Sequence, residues 1–187
     1  MRGDKRMSIW ISSDCHFGHN QRFLYEPRGF GSIEEHDAAI IKNWNEVVKP
    51  NDTVYLLGDC ILNDNNHGIE CMKKLNGQIF IIGGNHDTVN RVKLYKQDFD
   101  FIGYGMPIKY KKYSFFLSHY PSLCSNFDFD KPLRERVINI CGHCHTKDKF
   151  KDMDKGLCYH VELDAHNNYP VLIDNIINDI KEYLNLC

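Results

Sequence analysis

The chain lacks the features of membrane and exported proteins. None of its 187 residues belongs to an apolar run near the roughly 18 residues that a membrane-spanning helix needs. Residues 1–7 are charged and lead directly into Ile9-Trp10-Ile11, without the apolar core of a signal peptide. The sequence also contains no internal repeat or low-complexity tract. We therefore expect a cytoplasmic protein that does not associate with membranes.

The sequence also has no excess of charge of either sign. Lys and Arg number 23, Asp and Glu number 25, and the formal net charge is −2. A general nucleic-acid binder normally carries a basic excess, so we expect no stable nucleic-acid binding. An enzyme that acts on a single nucleotide or phosphodiester stays compatible with this balance. The length favours a single domain over residues 1–187, large enough to bury about 70% of the unfolded surface.

The eight cysteines do not indicate a disulfide framework. Cys15, Cys60 and Cys144 lie inside short motifs of Asp, Gly and His, and nothing in the sequence indicates export. Reduced thiols in the cytoplasm are therefore the better interpretation. Cys15 and Cys60 would make the protein sensitive to oxidation if they were accessible.

The first half of the chain alternates between short apolar runs and helical patterns. Ser32 followed by Glu35 is a capping-box signature, and Pro50 ends the helix that it opens. The expected elements are strands at 7–11, 53–57 and 78–82, and helices at 33–48 and 69–75. Strand, loop and helix thus repeat three times, which predicts α/β packing with ligands gathered at the strand ends.

The second half predicts a different arrangement. A hairpin is expected at 107–110 and 113–117, with further strands at 137–141, 161–163 and 171–173. Ile176, Ile177, Ile180 and Leu184 share one face of a closing amphipathic helix. Polar loops are expected at 123–136 and 146–155.

Five short motifs follow these elements and carry potential metal ligands. They are Asp14-Cys15-His16, Gly58-Asp59, Gly84-Asn85-His86-Asp87, Ser118-His119 and Gly142-His143-Cys144-His145. Side chains two residues apart at a strand end point the same way, so Asp14 is expected to converge with His16 and His143 with His145. Carboxylate, imidazole and amide ligands suit Mn²⁺, Fe²⁺ or Zn²⁺.

With these motifs, the chain resembles the calcineurin-like metallophosphoesterase family. The family pattern is D-x-H, G-D, G-N-H-[ED], a lone H and G-H-x-H. The segments 14–19, 51–59, 118–121 and 161–167 look most like its small stand-alone bacterial and phage members. The resemblance covers Ile9 to Ile173 and implies an α/β fold, a four-layer αββα sandwich of two mixed sheets flanked by helices.

The resemblance also implies a role for each residue of the site. Asp59 would bridge two divalent metal ions, with Mn²⁺ expected first and Fe, Zn or Ni also compatible. His86 would act as general acid, oriented by Asp87, while a hydroxide activated by the metals attacks phosphorus. The remaining ligands would be Asp14, His16 and His145 for the first ion, and Asn85, His119 and His143 for the second.

Contacts to the substrate are harder to assign. His19, Asn63 and Arg22 are candidates, and Arg28 lies near the same loop. Asp164 and His166 match the subgroup pattern, with packing or support of the ligands as their expected roles. Three further histidines are expected to be ordinary surface or helix residues: His36, His67 and His160.

Alternative functions remain open at this point. A short chain without an evident cap domain suggests an open site, and hence a phosphodiesterase acting on a small phosphoester or nucleotide. A broad-specificity phosphomonoesterase is the alternative enzyme. Cys141-Gly142-His143-Cys144-His145 could instead form a zinc-knuckle binding module. The sequence does not determine the oligomeric state.

Overall fold

Two mixed β-sheets pack against each other in the computed structural model, which describes residues 7–122, 131–151, 153 and 156–186. The strands are β1 (Ile9–Ser12), β2 (Thr53–Leu56), β3 (Gln78–Ile82), β4 (Asp100–Gly103), β5 (Met106–Tyr110), β6 (Tyr113–Leu117), β7 (Val137–Cys141), β8 (Cys158–His160) and β9 (Val171–Leu172). The α-helices are α1 (Arg22–Tyr25), α2 (Ile33–Val47), α3 (Asn65–Met72), α4 (Val89–Asp98) and α5 (Ile173–Tyr183).

The topology brings several strand ends to one edge. The larger sheet has the order β4-β3-β2-β1-β9, in which β1 to β4 are parallel and β9 is antiparallel. The smaller sheet has the order β5-β6-β7-β8, in which only β5 and β6 pair antiparallel. Parallel neighbours end on the same side, so the loops after β1, β2 and β3 emerge together.

Two apolar cores hold the layers. The first lies between the sheets, joins residues such as Ile11 and Phe115, and includes the buried face of α5. The second lies on the outer face of the larger sheet, where Trp44 of α2, Met72 of α3 and Tyr95 of α4 are fully buried. The predicted architecture of two mixed sheets flanked by helices is therefore confirmed. None of the described helices is long and apolar enough to cross a membrane.

The start of α2 confirms the capping signal read from the sequence. The Ser32 hydroxyl accepts a hydrogen bond from the Glu35 backbone N–H, at 3.2 Å. The Glu35 carboxylate reaches back and accepts from the Gly31 N–H, at 2.8 Å. These bonds satisfy two backbone donors before the helix begins, and the helix ends at Val47, ahead of Pro50.

Several elements lie at residues other than those predicted. Helix α3 begins at Asn65 instead of residue 69, because Asp64 caps it by accepting from the His67 N–H, at 3.0 Å. The strand expected at 161–163 lies earlier, at β8, and Leu163 begins a short 3-10 helix. Ile173 starts α5 instead of ending a strand.

The sequence analysis also missed two elements, and one expected loop contains a short helix. Helix α4 and strand β4 were missed, because Tyr95 is the only buried residue of α4 and leaves no apolar periodicity. Within the loop expected at 123–136, Leu133–Glu135 forms a 3-10 helix, while 123–130 lie outside the described residues.

Gly68 provides a test of how closely α3 packs. A Cβ built on Gly68 would lie 2.7 Å from the Ile61 Cβ atom. Gly68→Ala should therefore destabilise the protein by about 1–3 kcal/mol through overpacking, although alanine is the better helix former. Urea denaturation would measure this change.

The matched control for Gly68→Ala is Asn66→Ala, at an exposed position of the same helix. This variant should change the free energy of unfolding by less than about 0.5 kcal/mol. Equal stability of wild type and Gly68→Ala would contradict the close packing of α3.

Candidate metal centre

Strand ends from both sheets supply the side chains of the candidate centre. Asp14 follows β1, Asp59 follows β2 and Asn85 follows β3, all in the larger sheet. His119 follows β6 and His143 follows β7, in the smaller sheet. The centre therefore lies at the edge where the two sheets meet, and neither sheet could build it alone.

Five of the seven predicted ligands have a left-handed backbone. The φ angles are 59° at Asp14, 50° at His16, 50° at Asp59, 75° at His143 and 46° at His145. Residues other than glycine rarely adopt this conformation, and it costs energy that the surrounding structure must supply. The convergence of Asp14 with His16 thus comes from strained loops, not from the alternation of an extended strand that the sequence suggested.

The first group of ligand atoms is compact. Asp14 Oδ1 lies 3.7 Å from His16 Nε2 and 3.6 Å from His145 Nε2, and the two nitrogens are 3.2 Å apart. Asp14 Oδ1 is buried and has no hydrogen-bond partner among the described residues. Ligands bound at about 2.1 Å to one metal ion lie about 3–3.5 Å from each other. The observed distances lie within a few tenths of an ångström of this range, so one ion held by Asp14, His16 and His145 would fit with small shifts.

In the second group, hydrogen-bond acceptor atoms lie close to each other. His119 Nδ1 lies 2.8 Å from the Leu57 carbonyl oxygen and is the nitrogen that donates to it. Its Nε2 atom then carries a lone pair, yet it lies 2.8 Å from Asn85 Oδ1 and 3.2 Å from His143 Nδ1. A ligating histidine commonly donates its other ring N–H to a carbonyl in this way. A cation between these atoms would remove their mutual repulsion.

Asp59 lies between the two groups. Its Oδ2 atom is 3.8 Å from His16 Nε2 and 3.5 Å from His119 Nε2. Its Oδ1 atom accepts a hydrogen bond from the His86 backbone N–H, at 2.9 Å. One carboxylate oxygen is thus available to both groups, and the other fixes its orientation.

The protonation states of His16 and Asp14 suit metal binding. Burial lowers the pKa of His16 to about 4, so its imidazole is neutral at pH 7. Burial opposes ionisation of Asp14, but the surrounding imidazoles of His16, His119 and His145 hold the pKa of that carboxyl below its usual value. Neutral imidazole and ionised carboxylate are the forms that bind metal.

The Asp87 carboxylate joins two of the loops. Its Oδ2 atom accepts from the backbone N–H groups of Asp59, at 2.9 Å, and Gly84, at 2.8 Å, and its Oδ1 atom accepts from the Tyr95 hydroxyl, at 2.6 Å. Among the described contacts none joins this carboxylate to the His86 ring. Asp87 therefore ties the second and third loops together, and its orientation of His86 stays a prediction. Tyr95 was missed, because it belongs to a helix that the sequence pattern did not reveal.

Arg28 and Asp164 support the first group from behind. The Arg28 guanidinium is buried, donates to the Asp14 carbonyl oxygen at 2.9 Å and pairs with Asp164 Oδ2 at 2.7 Å. The same carboxylate oxygen lies 3.1 Å from His145 Nδ1. The supporting role expected of Asp164 agrees with these contacts. Arg28 lies behind the ligands and not in a position to meet a substrate anion.

The candidate substrate residues are not all near the centre. His19 lines a cavity of about 530 Å³ together with His16, His86 and His145. Arg22 instead forms a surface ion pair with Glu26, and its side chain is 82% exposed. Asn63 is exposed, and no described contact joins it to the centre. The substrate role stays a prediction for all three residues.

The remaining histidines and cysteines correct several expectations. His36 lies in helix α2, as the expectation allowed, but it is fully buried, and His160 is fully buried at the end of β8 instead of on the surface. Cys15 and Cys60 are also fully buried, and burial raises the pKa of both thiols, that of Cys15 to about 12. These thiols are protonated and inaccessible, so they do not provide the oxidation sensitivity considered above.

The zinc-knuckle interpretation is not supported. The thiol of Cys141 is buried and donates to the Tyr159 carbonyl oxygen, at 3.8 Å. His143 and His145 lie in different ligand groups. In the described part of the chain, the clusters of possible metal ligands include neither Cys141 nor Cys144.

Tyr95 provides a test of the support under the centre. Tyr95→Phe should destabilise the protein by about 1–3 kcal/mol, because it leaves a buried oxygen of Asp87 without a donor. Tyr104→Phe, at a side chain that is 61% exposed, is the control and should have little effect. Denaturant unfolding of both variants gives the comparison, and equal stabilities would show that the Tyr95 hydroxyl does not support the loops.

Comparisons with known proteins agree with this geometry. The model of the calcineurin-like phosphoesterase superfamily domain matches residues 7–161. An uncharacterized protein of Methanocaldococcus jannaschii is 34% identical over 179 residues, which cover 93% of this chain and 92% of that protein. The gene 66 protein of Mycobacterium phage L5 is 30% identical over 163 residues, which cover 74% of this chain and 78% of that protein.

A solved structure shares the fold. The crystal structure of a protein of unknown function from Aquifex aeolicus matches with a TM-score of 0.71 and 25% identity, covering 92% of this chain and 98% of that chain. The ligand types, their grouping at the sheet edge and the match to the family model all agree. The chain belongs to the calcineurin-like phosphoesterase superfamily and is a metal-dependent phosphoesterase.

Proposed function

We propose that the protein hydrolyses phosphodiesters at a dinuclear metal centre. Asp14, His16 and His145 would hold one ion, Asn85, His119 and His143 would hold the other, and Asp59 would bridge them. The observation that carries this proposal is the position of Asp59 Oδ2, within 3.8 Å of His16 Nε2 and 3.5 Å of His119 Nε2. A single buried oxygen shared by two acceptor groups suits a bridging ligand.

Two bound divalent ions supply an activated water nucleophile and positive charge against the phosphoryl oxygens. His86 would supply the proton that the leaving oxygen needs. Its side chain is 45% exposed, lines the cavity, and has its Nε2 atom 3.9 Å from Asp59 Oδ2. Its backbone N–H fixes Asp59, so one loop positions both the bridging carboxylate and the proton donor.

The cavity beside the first ligand group favours a diester over a monoester. One wall is apolar and contains Phe23, Leu24, Pro27 and Leu62. Among the described residues that line the cavity there is no Lys or Arg to match the second charge of a monoester dianion. A diester carries one charge fewer and brings a second organic group, which the apolar wall could cover. A small nucleotide diester is one substrate with these properties.

The identity of the ions and the compartment belong to the same proposal. Imidazole and carboxylate ligands accept several first-row ions, so we propose Mn²⁺, with Fe, Zn or Ni as functional replacements. The buried cysteines Cys15, Cys60 and Cys71 are free thiols, which supports the expected cytoplasmic location.

His86→Ala tests the general-acid role. Removing the proton donor should lower turnover of alkyl phosphodiesters by about 10²–10⁴-fold. Turnover of p-nitrophenyl esters should fall much less, because that leaving group needs little protonation. Steady-state kinetics on both substrates would measure the difference.

Metal content is the control for His86→Ala. It should match that of the wild type, because the His86 side chain is not among the proposed ligands. Equal losses on good and poor leaving groups would exclude His86 as the general acid.

Phe23→Ala tests the preference for diesters. Phe23 is 72% exposed on the cavity wall, where a substrate could cover it. Its removal should lower kcat/KM for aryl phosphodiesters roughly tenfold, through lost apolar contact, and leave phosphomonoesters little changed. A panel of mono-, di- and cyclic phosphates with Mn²⁺-loaded protein gives the measurement.

The matched control for Phe23→Ala is Ile102→Ala, at an exposed apolar side chain outside the cavity lining. It should affect neither substrate class. Faster turnover of monoesters than diesters by the wild type would instead favour the broad phosphomonoesterase.

A further inference from the structure

A second group of potential metal ligands lies between helices α2 and α3, outside the centre described above. His67 and Cys71 are four residues apart on α3 and therefore share a face. Asp37 faces them from α2 and is almost fully buried. The three residues offer one carboxylate oxygen, one imidazole nitrogen and one sulfur.

The three ligand atoms surround one small volume. Asp37 Oδ2 lies 2.9 Å from His67 Nε2, Cys71 Sγ lies 3.3 Å from His67 Nε2, and Cys71 Sγ lies 4.0 Å from Asp37 Oδ2. Oxygen, nitrogen and sulfur ligands of a tetrahedral zinc ion, at about 2.0–2.3 Å from the metal, lie about 3.3–3.7 Å from each other. Shifts of a few tenths of an ångström would therefore seat an ion.

The surroundings hold these ligands as a metal site requires. Asp37 Oδ1 lies 2.7 Å from Nδ1 of the buried His36 ring, and Asp37 Oδ2 accepts from the Gly18 N–H, at 3.0 Å. Hydrogen bonds of this kind orient metal-binding carboxylates. The His67 side chain is 44% exposed, which leaves a path for the ion and room for a water ligand.

We propose that Asp37, His67 and Cys71 form an additional zinc site with a fourth position open to water. Binding forms one bond from each side chain to Zn²⁺, and the thiol proton of Cys71 is released to solvent. No oxidation or reduction takes place. This inference does not rest on the dinuclear centre, since the two sites share no ligand.

A zinc ion at this site would stabilise the segments that pack against the first catalytic loop. It would join α2 to α3, and through Asp37 it would hold Gly18, two residues after His16. On the other side of Asp37, His36 Nε2 contacts the Arg28 guanidinium at 3.0 Å, and Arg28 donates to the Asp14 carbonyl oxygen. A zinc ion here would act as a structural element, not as a part of the reaction.

Cobalt substitution tests the proposal. The seven proposed catalytic ligands contain no sulfur, so a thiolate-to-cobalt charge-transfer band in the near ultraviolet reports on cysteine ligation alone. The full-length protein loaded with Co²⁺ should show this band, and Cys71→Ser should abolish it. Zinc analysis after dialysis should find one ion fewer per chain in Cys71→Ser than in the wild type.

Two variants serve as controls, and a third tests the ligand His67. Cys144→Ser, at a partly exposed cysteine near the catalytic loops, should keep the band. Asp59→Asn should also keep it, even if the dinuclear proposal fails, because it alters only the catalytic centre. His67→Asn, at a half-exposed side chain, should weaken zinc binding by more than about 100-fold, beyond the loss typical of outer-shell changes.

The opposite results would overturn the proposal. A wild-type protein without the band, or a band that persists in folded Cys71→Ser, would show that these side chains form only a hydrogen-bonded group. Equal zinc content in wild type and His67→Asn would lead to the same conclusion.

Discussion

The buried Asp59 carboxylate is the constraint on which the rest of the site depends. It lies between two groups of acceptor atoms, so its position determines whether those groups form one centre or two unrelated clusters. The His86 N–H donates to one oxygen of Asp59, and the Asp87 carboxylate accepts a hydrogen bond from the Asp59 backbone N–H. Gly84 is required beside it, because a Cβ at that position would collide with Asp59 Oδ1. A bound cation would stabilise a buried carboxylate that lies among acceptor atoms in this way.

The strained backbone of the ligands explains the supporting network. Left-handed conformations at five of the proposed ligand residues cost of order 1–3 kcal/mol each. They persist because the loops are fixed from behind, by Arg28 and Asp164 on the first side and by Asp87 and Tyr95 on the second. The side chains of the candidate centre are thus held by buried polar contacts behind the loops.

Local signals in the sequence were sufficient for much of the fold. The capping box at Ser32 and the apolar runs of β2, β3, β6 and β7 gave those elements close to their observed bounds. Prediction failed where local signals are weak. Helix α4 has a mostly polar surface, and the cap at Asp64 starts α3 before its apolar residues begin. Strand β8 was displaced because the more apolar residues after it enter a 3-10 helix instead.

The sequence by itself determined the chemistry of the ligands, their order and the strand ends that carry them, because motif and strand patterns are local. Only the tertiary structure decided which atoms meet. His16 and His145 approach within 3.2 Å across 129 positions, and Asp37 meets His67 across 30. The burial of Arg28 and His36 and the role of Asp87 depend on the same long-range packing. Such contacts leave no local pattern, since they arise only when the two sheets and their helices close around a shared core.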